Sequence, residues 1–230
     1  MPDNAGERLY EKTEGLPFFL AEYLAVLTVE GEPAADPWSM PSGVRDLLRL
    51  RLAAVTDTGR QLLGTAAVIG RSFDFDTLRA ASGRGDAETV AELESLIAGG
   101  LILEQEEVDG EADLVYDFSH EQLRALAYEQ TSLARRRFLH RRVADALATG
   151  PNVRRGAAPA GLVAHHYLMA REDAQAAIYF SRAGEEAAAL FANTEALAHY
   201  RKALDLGHRG PAALHEAIGD LYTLTGDYGA

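Results

Sequence analysis

The sequence predicts a mainly α-helical protein that contains only a few short strands. Apolar residues recur at spacings of three and four along most of the 230 residues, which is the period of an amphipathic helix. Alanine, the strongest helix former, is abundant within these segments. Extended-looking runs are few and short, so we expect one small sheet at most.

Composition is that of an ordinary globular protein, with 47% hydrophobic and 25% charged residues, and the length suits one to two domains. No run of about 18 apolar residues predicts a membrane span, and the N-terminus lacks the apolar core of a secretory signal. The absence of cysteine excludes disulfides, thiol catalysis and thiolate metal sites. We therefore expect a cytoplasmic protein. A net charge of −13 opposes non-specific nucleic-acid binding.

Residues 5–30 predict two helices that are separated by a break at residues 14–17, where the sequence reads E-G-L-P. Pro17 suits the first position of the second helix, because the backbone N–H that it lacks has no partner within the helix there. Residues 31–41 are rich in proline and glycine and predict a linker or a surface loop.

From residue 42 onward the pattern predicts a compact unit of helices and short strands. Helices are expected where apolar residues recur at helical spacing, around 44–55, 62–69, 75–83 and 90–98, and strands at 72–75, 101–103 and 114–118. The Asp-Gly pair at 109–110 is a hairpin signal. This order is typical of a winged helix with a small β-hairpin wing. We predict a winged-helix domain plus trailing helices for residues 42–149.

The segment 118–127, F-S-H-E-Q-L-R-A-L-A, joins the last strand to a helix. Ser119 and Gln122 have the S-x-x-Q spacing of a capping box, and Phe118 could contact Leu123 as a hydrophobic staple. His120 then falls on the first helical residue, among backbone N–H groups that favour an anion. Local sequence alone favours a surface histidine at a helix start.

Residues 157–230 predict tetratricopeptide-like helical repeats. Ala196, Tyr200 and Ala203 have the spacing of a second repeat helix, and Gly184 lies twelve residues before Ala196. Small residues would sit where helices cross, and aromatic rings would fill the gaps between stacked helices. An apparent earlier unit overlaps in register, so the number of repeats stays open. The sequence ends just after a turn-like G-D-Y, from which we expect a piece of a longer protein.

Two motifs flank the winged-helix pattern: G-L-P at 15–17 and F-S-H-E-Q-L-R-A-L-A at 118–127. In this ordered arrangement the chain resembles the C-terminal part of the nucleotide-binding module of STAND-type signalling ATPases. This family includes MalT-like and large LuxR-type bacterial regulators and the NB-ARC proteins. The segments 45–52, 66–74 and 135–147 also resemble the bacterial members. Residues 1–35 would then be the end of the helical lid.

The resemblance implies specific nucleotide contacts. Gly15 and Pro17 match the G-x-P motif, which contacts adenine in that family. His120 matches the histidine of the M-H-D motif, which contacts the β-phosphate of ADP in the resting state. Ser119 and Glu121 replace the methionine and the aspartate, so the motif is only partly kept. The implied cofactor is ATP or ADP, bound only in the full-length parent.

From this resemblance we expect a regulatory segment that acts in signal transduction or transcription regulation. The winged helix would sense nucleotide on an upstream nucleotide-binding domain, and the repeats would bind a protein or small-molecule inducer. The alternative is a protein-interaction module without a nucleotide role. The sequence contains no G-x-x-x-x-G-K-[ST] phosphate loop and no catalytic constellation, so we do not expect an enzyme.

Direct DNA binding is not expected of this segment. The predicted recognition helix, residues 86–97, carries four carboxylates and no lysine or arginine, and the predicted wing tip is also acidic. The basic run at 135–142 is interpreted as a solvated helix face that pairs with nearby acids. No metal site is predicted, because the adjacent His165 and His166 should point to different faces of a helix.

Overall fold

The computed structural model describes residues 5–28, 38–105, 114–149 and 158–225. The described residues form twelve helices and a small antiparallel sheet, which confirms the prediction of a mainly α fold. The helices are α1 (Ala5–Thr13), α2 (Pro17–Thr28), α3 (Ser42–Ala53), α4 (Asp57–Ile69), α5 (Phe75–Ser82), α6 (Asp86–Ala98), α7 (Glu121–Gln130), α8 (Leu133–Thr149), α9 (Ala160–Ala170), α10 (Asp173–Ala189), α11 (Asn193–Asp205) and α12 (Pro211–Thr225). The strands are β1 (Ser72–Asp74), β2 (Ile102–Gln105) and β3 (Val115–Phe118).

The three strands pair in the order β1-β3-β2, with both pairings antiparallel. Tyr116 and Phe118 of β3 are buried, as the predicted alternation requires, and Tyr116 lies opposite Phe73 of β1. The rings of this pair stack with centroids 5.8 Å apart. The Asp-Gly pair at 109–110 and the acidic tip at 106–113 lie outside the described residues.

The chain divides into two compact units. The first comprises residues 1–75 and 85–131, and the second comprises residues 76–84 and 132–230. Helix α8 therefore groups with the helices that follow it. Within the described ranges, no helix combines the length and the apolar character needed to cross a membrane.

In the first unit, α4 is the central helix, and it contacts α6 and α7. Leu62, Leu63, Ala66 and Ala67 are all buried, which fits a helix that is apolar around most of its surface. Thr56 caps its first turn by accepting the N–H of Gly59 at 2.9 Å. The helix is followed by Gly70, as the sequence predicts.

In the second unit, each helix from α8 to α12 packs against the next one in the chain. Gly184 of α10 shows the close approach that the sequence predicts, because a Cβ atom there would lie 2.4 Å from a ring carbon of Tyr200. Gly219 of α12 does not share this feature, since a Cβ there meets nothing within 4 Å among the described residues. The remaining core side chains are mostly alanine, leucine and aromatic residues.

Candidate functional site

The turn between α1 and α2 is built by two successive residues with left-handed backbone conformation. Glu14 has φ +48° and Gly15 has φ +74°, values at which glycine is favoured and glutamate is uncommon. The N–H of Leu16 donates to the carbonyl of Thr13 at 2.9 Å, and Pro17 then begins α2 as predicted. The predicted break is thus confirmed, and it is a tight, hydrogen-bonded turn.

His120 is the N-cap of α7 and not its first helical residue, so that part of the prediction is wrong. Its Nδ1 accepts the backbone N–H of Gln122 at 3.0 Å. The imidazole thereby satisfies the helix N-terminus that Ser119 was expected to cap. The hydroxyl of Ser119 is buried and has no hydrogen-bond partner among the described residues, so the predicted capping box does not form.

The second ring nitrogen of His120 is also used. Nε2 lies 3.1 Å from the carbonyl oxygen of Thr13, an acceptor 107 residues away in sequence. This arrangement requires the neutral tautomer with hydrogen on Nε2. The ring also packs edge-on against Phe19, with centroids 4.5 Å apart, and only 3% of His120 is exposed. His120 is therefore a buried residue that connects the end of α1 to the start of α7, and the expectation of a surface histidine is wrong.

The carboxylate of Glu14 occupies the anion position at the start of α7. It accepts the backbone N–H of Glu121 at 3.1 Å and receives two hydrogen bonds from the Arg71 guanidinium, at 2.5 and 2.8 Å. Burial alone would raise the pKa of Glu14. The hydrogen bonds from Arg71 and from the Glu121 backbone outweigh that effect and lower the pKa below its usual value. An anion site predicted from sequence is thus filled by the chain itself.

Gln122 provides a third link between the two segments. Its side-chain amide donates to the hydroxyl of Tyr23 at 3.1 Å and to the carbonyl of Lys12 at 3.4 Å. Tyr23 is completely buried and Gln122 is 8% exposed, so these bonds lie within the first unit's core. We call the interacting set the His120 cluster: Lys12, Thr13, Glu14, Phe19, Tyr23, Arg71, His120, Glu121 and Gln122.

Of the three residues that the sequence singled out, only His120 belongs to this cluster, and it bonds to the carbonyl of Thr13, two residues before Gly15. Gly15 lies within the turn, directly after the residue whose carboxylate contacts α7, and Pro17 begins α2; both residues are exposed. The ring of Tyr10, itself 69% exposed, lies beside Gly15. Sequence reasoning missed Glu14 and Arg71, and it gave Gln122 a different partner. The signal for Glu14 was its place next to the G-L-P motif, whereas nothing local marks Arg71.

The basic run on α8 is only partly the solvated face that we expected. Arg141 pairs with Asp145 at 4.0 Å and with Glu172 at 3.4 Å, as predicted. Arg142 instead donates to the carbonyl of Ala80 at 2.6 Å, and His140 is buried against His166. Within the described ranges, no three histidine or carboxylate side chains are grouped to hold a metal ion.

Both ring nitrogens of His120 are bonded within the protein, so in this conformation the imidazole is neither a general base nor a phosphate ligand. The cluster instead joins the α1–α2 turn to the first turn of α7 through charge-assisted and neutral hydrogen bonds. Comparisons with family models, curated proteins and solved structures found no match.

Proposed function

We propose that this chain is the regulatory segment of a STAND-type signalling ATPase, in which the His120 cluster responds to nucleotide on an upstream domain of the parent protein. The observation that carries the proposal is the direct hydrogen bonding between the G-L-P turn region and the S-H-E-Q helix start. These motifs lie more than 100 residues apart, yet the resemblance requires both of them to face one nucleotide.

The proposed architecture is a winged helix followed by tetratricopeptide-like repeats. The order α4, β1, α5, α6, β2, β3 and the central position of β3 support the winged helix. The close contact between Gly184 and Tyr200 supports helix pairs packed as in such repeats. In this proposal the repeats bind a protein or small-molecule inducer, and the winged helix makes no direct contact with DNA.

The chemistry of the cluster fits a nucleotide in part. The Arg71 guanidinium and the Glu121 backbone N–H are groups that bind phosphate oxygens, and here they hold the Glu14 carboxylate. The exposed ring of Tyr10 beside Gly15 offers a face on which an adenine could stack. For His120 to contact a phosphate, the ring must break its hydrogen bond either with the Thr13 carbonyl or with the Gln122 N–H.

The test uses the parent protein with its upstream domain. We expect His120→Ala to speed ADP dissociation at least tenfold and to raise basal activity, because the variant loses the joint between the turn and α7. His215→Ala, which removes an exposed histidine on α12, is the matched control. If His120→Ala leaves both the rate of ADP release and the basal activity unchanged, the proposed nucleotide role is refuted.

The second candidate is a protein-interaction module without a nucleotide role. Its supporting observation is an open groove of about 380 Å³ among α9, α10 and α11, which is lined by residues that include Leu162, Leu190, Glu186 and Glu195. Leu190 is 80% exposed, and the next residue, Phe191, is 86% exposed. Neighbouring apolar side chains this exposed are typical of a binding surface.

One titration separates the two candidates. Nucleotide is titrated into the upstream domain with and without this segment, and the two affinities are compared. A lower ADP affinity without the segment supports the nucleotide role, whereas equal affinities favour the interaction module. A phosphate-loop sequence encoded upstream in the same reading frame would support the first candidate independently.

A further inference from the structure

Two histidines meet in the interior of the second unit, where α8 packs against α9. The Nδ1 atoms of His140 and His166 are 2.9 Å apart, and the residues are only 3% and 2% exposed. At this distance one ring donates its N–H and the other accepts it, so the Nδ1 of the accepting ring carries no hydrogen. The Nε2 atom of His166 is buried and has no hydrogen-bond partner among the described residues. We call these two residues the histidine pair.

The surroundings of the histidine pair oppose positive charge. Burial lowers the pKa of His140 to about 4, and the positive charges of His165 and Arg136 act in the same direction. Burial likewise lowers the pKa of His166 to about 3, with His140 and His165 adding to the effect. A proton is therefore accepted more readily when the rings are exposed to water.

Two further contacts connect α8 to the helices that follow it. The hydroxyl of Tyr167 on α9 donates to Asp145 on α8 at 2.8 Å, and Arg141 on α8 pairs with Glu172, the residue before α10, at 3.4 Å. Of the side chains at this interface, histidine is the type whose ordinary pKa places its change of charge between pH 5 and pH 8. The histidine pair is thus the part of the joint that responds first as the pH falls below neutrality.

We propose that the histidine pair makes the joint between α8 and α9 an acid-labile hinge, in which proton uptake by the two rings releases α9 while α10 and α11 stay paired. When His166 donates the shared N–H, its unpartnered Nε2 carries no hydrogen, and a first proton can enter there without breaking the shared bond. A second proton puts hydrogen on both Nδ1 atoms, and the 2.9 Å contact becomes a repulsion between two donors. This inference does not depend on the nucleotide proposal.

The direction in which pH shifts the opening equilibrium follows from how many protons the closed and the open forms bind. The ordinary histidine pKa of 6.5 lies above the folded values of about 4 and about 3. Between pH 6.5 and about 4 the open form therefore binds more protons, and acid favours opening. From pH 7 to pH 5 the opening constant should rise about 25-fold if one histidine titrates and about 600-fold if both do.

Amide hydrogen exchange on the 230-residue chain tests the hinge. Protection factors for α9 and α11 are measured at pH 7 and pH 5 and corrected for the intrinsic effect of pH on exchange. We expect protection in α9 to fall at least 25-fold while protection in α11 changes less than threefold. An equal change in the two helices, or no change in α9, would overturn the proposal.

Two variants sharpen the measurement. The double variant His140→Leu/His166→Leu removes both titrating groups, and its α9 protection should not depend on pH between 7 and 5. His165→Asn removes an exposed neighbouring histidine and should keep the wild-type response. If the double variant does not fold, NMR titration of the His166 ring decides. Its protonation should coincide with the loss of α9 protection, and protonation with α9 still protected refutes the hinge.

Discussion

The two buried histidine sites, the His120 cluster and the histidine pair, differ in how many of their ring nitrogens are hydrogen-bonded. In the His120 cluster both ring nitrogens have backbone partners, at 3.0 and 3.1 Å. In the histidine pair one bond joins the two rings, and Nε2 of His166 has no hydrogen-bond partner among the described residues. A buried polar atom without a partner costs about 1–3 kcal/mol. The comparison teaches that burial alone does not define the role of a histidine: His120 and His166 are equally buried, but His120 joins two backbone groups whereas His166 keeps one ring nitrogen without a partner among the described residues.

The largest effect is expected from His120→Ala. This variant leaves the Thr13 carbonyl and the Gln122 N–H without their buried partner, and it removes the ring that packs against Phe19. We expect the free energy of unfolding to fall by about 3 kcal/mol, measured by urea denaturation at pH 7.

His120→Asn is the control for that substitution. Asparagine is a good N-cap and should recover about 1 kcal/mol through the Gln122 N–H. Equal stability of the alanine and asparagine variants would mean that the cap bond contributes nothing, and the proposed contrast between the two sets would fail.

The single variant His140→Leu should cost less, about 2 kcal/mol at pH 7, because it leaves His166 buried with both nitrogens unpaired. Leucine preserves most of the volume, so the loss is mainly that of the hydrogen bond. Urea denaturation gives the value. A loss larger than that of His120→Ala would reverse the ranking that the comparison predicts.

Replacing Glu14 by glutamine should cost about 1 kcal/mol at pH 7, since the Arg71 pair is partly exposed. The folded pKa of Glu14 lies below its ordinary value of 4.5. Its ionic contribution is therefore complete above that pH and is lost as the pH falls through the lowered folded pKa. Denaturation at pH 7, 5 and 3 should show the difference between wild type and Glu14→Gln shrinking at pH 3.

The matched control for Glu14→Gln is Asp46→Asn, which alters an exposed ion pair with Arg49. That change should stay within about 0.5 kcal/mol at every pH. A pH-independent loss in Glu14→Gln would show that its charge is not what holds the turn.

Apart from the control Asp46→Asn, the smallest effect is expected from the double variant His140→Leu/His166→Leu. Removing both partners and the unpaired nitrogen together should change stability by less than about 1 kcal/mol at pH 7. The double variant would then be more stable than His140→Leu alone, which double-mutant analysis detects as a favourable coupling between the two positions. Additive losses would contradict the pairing.

Helix and strand boundaries were largely predictable because glycine and proline mark them locally. Pro17 begins α2, Gly70 follows α4, and Gly83 ends α5 with φ +74°. The cap of α7 was not predictable in the same way. Ser119 and Gln122 fit a local capping pattern, but the partner that buries His120 is a carbonyl 107 residues earlier.

The histidine pair was missed for a related reason. His140 lies within an arginine-rich stretch, which predicts a solvated face, and His166 is 26 residues further on. The adjacency of His165 and His166 led correctly to different helix faces, with His165 exposed and His166 buried. Which buried side chain would meet His166 depended on how α8 packs against α9, and this is a tertiary contact that a sequence pattern does not contain.

The contact between Gly184 and Tyr200 has a consequence for how related sequences can vary. Any side chain at position 184 would enter the space of the Tyr200 ring, because even a methyl group would lie 2.4 Å from it. The two positions should therefore change together across homologous chains, with a larger residue at 184 accepted only where the ring at 200 is replaced by a smaller side chain. An alignment of homologues would reveal this as covariation between two helices that no local motif connects.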